Sequence, residues 1–184
     1  MNLQVINQNK RKVTMKKIMF NDQYGLTDAV LEGRKTMTRR IVPKNTVIAP
    51  KYYVGEEIAI AQSYHTLNKS GYIAPEWLDH SCESSAGYRN KMFVRADLMP
   101  HSIKIKSVGT QLLQEISDED CIREGVEKWL DYYIVMGIMK NQGQNYVCFD
   151  TQREAFAALI NRINGKDTWE SNPRVYAYGF ELIR

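Results

Sequence analysis

The sequence is poor in cysteine and has no long apolar run, and each shortage closes off a class of protein. Three cysteines, Cys82, Cys121 and Cys148, are an odd number, widely spaced and without a Cys-x-x-Cys pair. Neither a disulfide framework nor a zinc site follows from such a set, and a reducing cytoplasm is the expected location. His65, His80 and Cys82 match no standard ligand spacing, so no metal is expected. No stretch approaches the roughly 18 consecutive apolar residues of a membrane-spanning helix. Residues 1–14 lack the apolar core of a secretory signal. No Gly-rich phosphate loop supports a Rossmann or P-loop reading, and no cofactor is called for.

What remains is a chain of 184 residues, the length of one medium domain. Its formal net charge of +4 is compatible with a polyanionic partner but does not demand one. Local clustering says more. Arg34, Lys35, Arg39 and Arg40 crowd one short segment, and Lys10, Arg11, Lys12, Lys16 and Lys17 form a second group. Residues 1–14, rich in Asn, Gln, Lys and Arg without periodicity, read as a flexible tail, and Met15 is an alternative start to Met1.

Periodicity gives a chain of short elements. Lys16–Phe20 reads as a first strand and Thr27–Glu32 as a short helix stopped by Gly33. From Thr36 to Val42 the chain is expected to be extended, with Thr36, Thr38 and Arg40 on one face and Met37, Arg39 and Ile41 on the other, until Pro43 closes it. Glu57–Ala61, Lys91–Arg95 and His101–Val108 read as strands, with a bulge or bend at Gly109. Ser117 caps a helix ending near Gly125. Thr151 and Glu154 form a capping box for a helix running to Ile163, and a last strand follows Pro173. Two excursions, at about 62–90 and 127–150, show no clear period. Short strands that must pair across long separations, broken by short helices, predict an α+β fold. A mixed β-barrel within a single domain over 15–184 is expected, not a doubly wound sheet.

Four blocks then carry a resemblance. Leu31–Arg40 resembles the Gly-x-Lys-x-x-Thr-x-Arg signature of the ASCH family through Gly33, Lys35, Thr38 and Arg40. Val54–Ile58 is similar to the family's Gly-Asp turn before a strand, and Leu113–Val126 matches a third block ending in Glu124-Gly125-Val126. Asn164-Gly165 and Trp169–Tyr176 resemble the ending of ASCH proteins common in phages and prophages. The excursions match no family pattern. The resemblance implies a PUA-like mixed β-barrel with short flanking helices. It also implies a site for RNA, a nucleotide or a modified nucleoside at a basic pocket around Lys35, Thr38 and Arg40, with Arg34 and Arg39 as further binding cations. Some small bacterial members are amidohydrolases of N4-acetylcytidine that use a lysine, a threonine and a glutamate. By motif these fall on Lys35, Thr38 and Glu124.

On that second reading Thr38 is the nucleophile, Lys35 its base and Glu124 the acid/base. A threonine hydroxyl needs a neighbouring base, and an amine can serve if burial and nearby cations such as Arg34, Arg39 and Arg40 depress its pKa. Strand alternation would set Lys35 and Thr38 on opposite faces, so the scheme needs Lys35 in the turn after Gly33. A plainer alternative stands beside it: Lys35 and Glu124 form an ion pair that pins a helix to the barrel. Trp129, Tyr132, Tyr133, Tyr72 and Trp77 have the chemistry to stack on a base, but aromatic residues are more often core, and none is assigned to the site. No carboxylate or histidine constellation supports a nuclease.

Overall fold

Two long strands, β4 (Ser102–Leu112) and β9 (Arg174–Ile183), pair antiparallel along most of their length and form the spine of a five-stranded sheet. The computed structural model describes residues 15–43, 49–72, 82–140 and 145–183, apart from the Lys140 side chain. The expected tail at 1–14, with Lys10, Arg11 and Lys12, lies outside them, as do Trp77 and His80. β3 (Glu57–Ile60) lies against β4, and β1 (Lys16–Ile18) lies parallel to β3. β2 (Met37–Ile41) pairs antiparallel with β9, giving the order β1-β3-β4-β9-β2. The alternation of Ile103 and Ile105 with Lys104 and Lys106 explains which face of β4 turns inward, for both isoleucines are fully buried. In the middle of β9 the successive residues Ala177, Tyr178, Gly179 and Phe180 are all buried, so both faces of the sheet are covered there.

The sheet curls. Its edges β1 and β2 share no ladder among the described residues, yet the Arg40 guanidinium of β2 donates to the Met19 carbonyl just beyond β1 at 2.7 Å. Phe20 packs on Phe180 of β9, with ring centroids 5.8 Å apart. The result is a mixed, mostly antiparallel α+β barrel whose seam is bridged by a side chain.

Among the described residues four α-helices flank it: α1 (Leu26–Leu31), α2 (Tyr64–Lys69), α3 (Asp118–Arg123) and α4 (Gln152–Asn164). α4 opens on the expected capping box. Thr151 Oγ1 accepts from the Glu154 amide and the Glu154 carboxylate accepts from the Thr151 amide, both at 3.2 Å. Its Phe156, Leu159 and Ile160 join Ile58, Ile103 and Phe180 in one apolar cluster, and α3 lies against it.

The structure corrects several expectations. Lys91–Phe93 is a 3-10 turn, not a strand: the Asn90 side chain caps it by accepting from the Met92 amide at 2.9 Å, and Met92 and Phe93 are left exposed. The β4 bulge falls between Ile105 and Ser107, while Gly109 pairs regularly with Ala177. The glycine that matters is the facing Gly179, where a Cβ would stand 2.4 Å from Ser107 Oγ. The first excursion holds α2, capped by Ser63. The second folds into two small hairpins, β5 (Glu127–Trp129) with β6 (Tyr132–Ile134) and β7 (Met139–Lys140) with β8 (Asn145–Tyr146). Strands of two or three residues are too short to print a period.

Candidate functional site

Gly33 adopts φ +77°, which glycine alone takes readily, and its amide closes α1 onto the Val30 carbonyl. The Lys35 amide then returns to Ala29 O, and Thr36 is held from both sides, its amide on Arg123 O and its carbonyl on the Phe180 amide. Lys35 is therefore in the turn before β2 and points inward, with 2% exposure. Opposite it stands Glu124, the residue that ends α3. The chain can leave that helix at Gly125, whose φ is +107°. A Cβ at Gly125 would come within 2.9 Å of Leu26 Cδ2, so a side chain there would have to displace the end of Leu26.

The Lys35 ammonium donates to Glu124 Oε2 at 2.7 Å and to the Glu124 carbonyl at 2.6 Å. The other oxygen, Oε1, accepts from Arg39 at 3.1 Å, and Arg39 also donates to Asp120 Oδ2 at 2.7 Å. Arg123 completes the chain on Asp120 Oδ1 at 3.1 Å. Charges removed from water are tolerable only when paired in this way. Arg39 Nε, also buried, meets no acceptor among the described residues. A buried unmet donor costs about 1–3 kcal/mol, which an acceptor brought to it would relieve. Burial pushes the Lys35 amine below the ordinary lysine range; Glu124 opposes this, and the charges of Arg40 and Arg39 reinforce it.

Lys35, Arg39 and Glu124 line a cavity of about 260 Å³, walled on the α4 side by Phe156, Leu159 and Ile160. Lys35, Thr38 and Glu124 thus come together. Thr38 is buried on the same cavity, and among the described residues its side chain has no hydrogen-bond partner. Arg40 stands exposed at the mouth. The other two cations of the cluster are otherwise engaged: Arg39 is buried among acids, and Arg34 pairs on the outside with Glu32 and Glu127, each at 2.6 Å. Trp129 and Tyr132 are exposed on the first hairpin, and Tyr133 packs on the core.

A second cavity of about 480 Å³ adjoins the first, sharing Met19, Arg40 and Ile41 with it. Two solved structures resemble the chain. The crystal structure of an ASCH domain from Lactobacillus crispatus JV V101 aligns with a TM-score of 0.41 at 12% identity, over 92% of this chain and 79% of that one. Protein EF3133 from Enterococcus faecalis V583, of family DUF984, aligns with a TM-score of 0.45 at 14% identity, over 92% and 80%. No family model matches the sequence, and no curated protein does.

Sequence reasoning missed Asp120 as part of the charged cluster and missed the second cavity altogether. Asp120 was readable in principle: it stands four residues before Glu124 and so shares a helix face with it. Tyr176 and Tyr178 gave a weaker signal by alternating on one strand. Lys17 was legible only as a member of the second basic group, and nothing local pointed to Lys51 or Tyr52. Among the described residues no group of three His, Cys, Asp or Glu side chains is arranged to hold a metal ion, and no helix is long and apolar enough to cross a membrane.

Proposed function

We propose that this chain is an ASCH-type protein with a PUA-like barrel, which binds RNA or a modified nucleoside in the cavity around Lys35, Thr38 and Arg40. One observation carries the reading: Lys35 and Thr38 of one short segment converge with Glu124, distant in sequence, on one cavity with a guanidinium at its mouth. Its volume of about 260 Å³ lies just under the roughly 300–1,000 Å³ of drug-sized sites, which suits a nucleoside-sized group. Lys35 and Arg39 donate, Glu124 accepts, and the α4 side supplies an apolar wall for a flat ring. Arg40 adds a planar fork for a phosphate or a base edge. Calorimetric titration with RNA at several salt concentrations tests this. Affinity is expected to fall as salt rises, and to fall further in Arg40→Ala. Salt-independent affinity, or a variant that binds like the parent, overturns the electrostatic part.

A second reading, amide hydrolysis, is favoured by the buried amine of lowered pKa on the same cavity as a threonine hydroxyl that has no hydrogen-bond partner among the described residues. In this scheme neutral Lys35 takes the Thr38 proton as Oγ1 bonds to the acyl carbon of an N4-acetylated cytidine. The tetrahedral adduct then expels the cytosine amine, which receives a proton from the Lys35–Glu124 pair, and water frees acetate from Thr38. Chromatography of N4-acetylcytidine after incubation is expected to show cytidine. Lys35→Ala and Thr38→Val should each abolish its release with circular dichroism unchanged, and the double variant should be no worse. Turnover that survives Thr38→Val removes the covalent scheme.

A further inference from the structure

The second cavity differs from the first in its electrostatics. In the inner cavity the cations Lys35 and Arg39 are met by Glu124 and Asp120. Among the described residues the outer lining holds Lys17, Lys51 and Arg40 and no carboxylate. Lys17 is fixed by the carbonyls of Met92 and Val94, both at 2.6 Å. Burial and the neighbouring charge of Lys51 push its ammonium below the ordinary range, as expected where positive charge is unbalanced. Lys51 is exposed, stands 5.3 Å over the Tyr52 ring and pairs with no acid among the described residues.

The wall behind these cations is aromatic. Tyr52 meets Tyr178 edge-on with centroids 5.4 Å apart, and Tyr178 neighbours Tyr176 at 6.1 Å. Tyr52 and Tyr178 are anchored through their hydroxyls, to Lys17 O and from the Lys51 amide, each at 3.1 Å. Tyr176 is half-buried and borders the cavity. An uncompensated cationic mouth over a fixed aromatic wall has the chemistry of a nucleotide subsite: the cations hold phosphate and a ring stacks a base.

We propose that the outer cavity takes the phosphate and base of the neighbouring nucleotide in a single RNA strand whose adjacent nucleoside occupies the inner cavity, with Arg40 between the two. The ligand is then a strand of at least two residues, not a free nucleoside. This rests on the inner cavity being a nucleoside site. The two cavities adjoin and share Arg40, which already faces both.

Isothermal titration of cytidine, cytidine 5′-monophosphate and a short single-stranded oligocytidylate separates the possibilities. The oligomer is expected to bind at least about tenfold tighter than cytidine at low salt. Lys51→Ala and Tyr176→Ala should each remove about tenfold of that affinity while leaving cytidine binding unchanged. Lys51→Ala should also flatten the logarithmic salt dependence by about one phosphate contact. An oligomer that binds no tighter than cytidine, or no tighter than the monophosphate, overturns the two-residue subsite and leaves the inner reading standing. Oligomer binding that is lost in Lys51→Ala but indifferent to Thr38→Val keeps strand binding at the outer cavity and removes the inner reading. Failure of all three probes to bind removes both.

Discussion

Lys35 is held by a carboxylate and a main-chain carbonyl of one residue, and a substitution at Glu124 touches only the first. Glu124→Ala strips the charge from between Lys35 and Arg39 and leaves both buried without it, a loss of about 3–5 kcal/mol that urea denaturation should read. Glu124→Gln keeps the carbonyl and a side-chain acceptor, so a folded protein is expected, with any turnover largely lost. Arg40 acts at a distance: its charge helps to hold the Lys35 pKa down. In Arg40→Ala that pKa should rise, and if the protein turns over acetylated cytidine, the ascending limb of kcat/KM moves to higher pH. Cys121 supplies a separate pH test. Burial raises its thiol from an ordinary 9.0 to about 12, so its contribution to stability is whole below pH 9 and is lost as pH rises towards 12. Lys35 has the opposite sign, because a depressed amine adds stability as pH climbs towards 10.5. The difference between parent and Cys121→Ala across that range isolates the thiol: the variant should lose less stability. Lys35, Thr38 and Glu124 were legible as a motif, which carries residue type and spacing. The fate of Arg39 was legible only from its face, shared with Met37 and Ile41, and a count of positive charges passes over it.

Elements became legible in proportion to their length. α4 prints its apolar period and its cap together, and Thr151→Ala is expected to cost about 1 kcal/mol in thermal denaturation. The hairpins over 127–146 and the turn at Lys91–Phe93 are fixed by long-range contacts, such as the Lys91 ammonium on Asp22 at 2.6 Å, which no local pattern records. Gly125 joins an element to the site. Its φ of +107° and the 2.9 Å approach to Leu26 both penalise a side chain, and the same point lies 3.8 Å from Lys35 Cδ. Gly125→Ala should destabilise the fold by more than about 1 kcal/mol and weaken nucleoside binding beyond what the loss of folded protein explains. An alanine variant with the parent's melting temperature would show that α3 has room to spare.

Across the whole molecule, the α+β class and the rejection of a doubly wound sheet were legible because short strands with distant partners leave few other solutions. Strand order was not, since no local signal says that β9 separates β4 from β2. That order bears on how the protein is made. Among the described residues β2 has β9 as its sole strand neighbour, and the turn bearing Lys35 is tied to the Phe180 amide. On a ribosome, Lys35, Thr38 and Glu124 have all emerged while residues 174–183 are still to be joined, so the strand carrying Thr38 has nothing to pair with. The pocket therefore waits on residues 174–183. A chain halted before residue 174 should capture no nucleoside, and in refolding from urea, recovery of binding should lag behind recovery of helix signal, because long-range pairing is the slow part of such topologies.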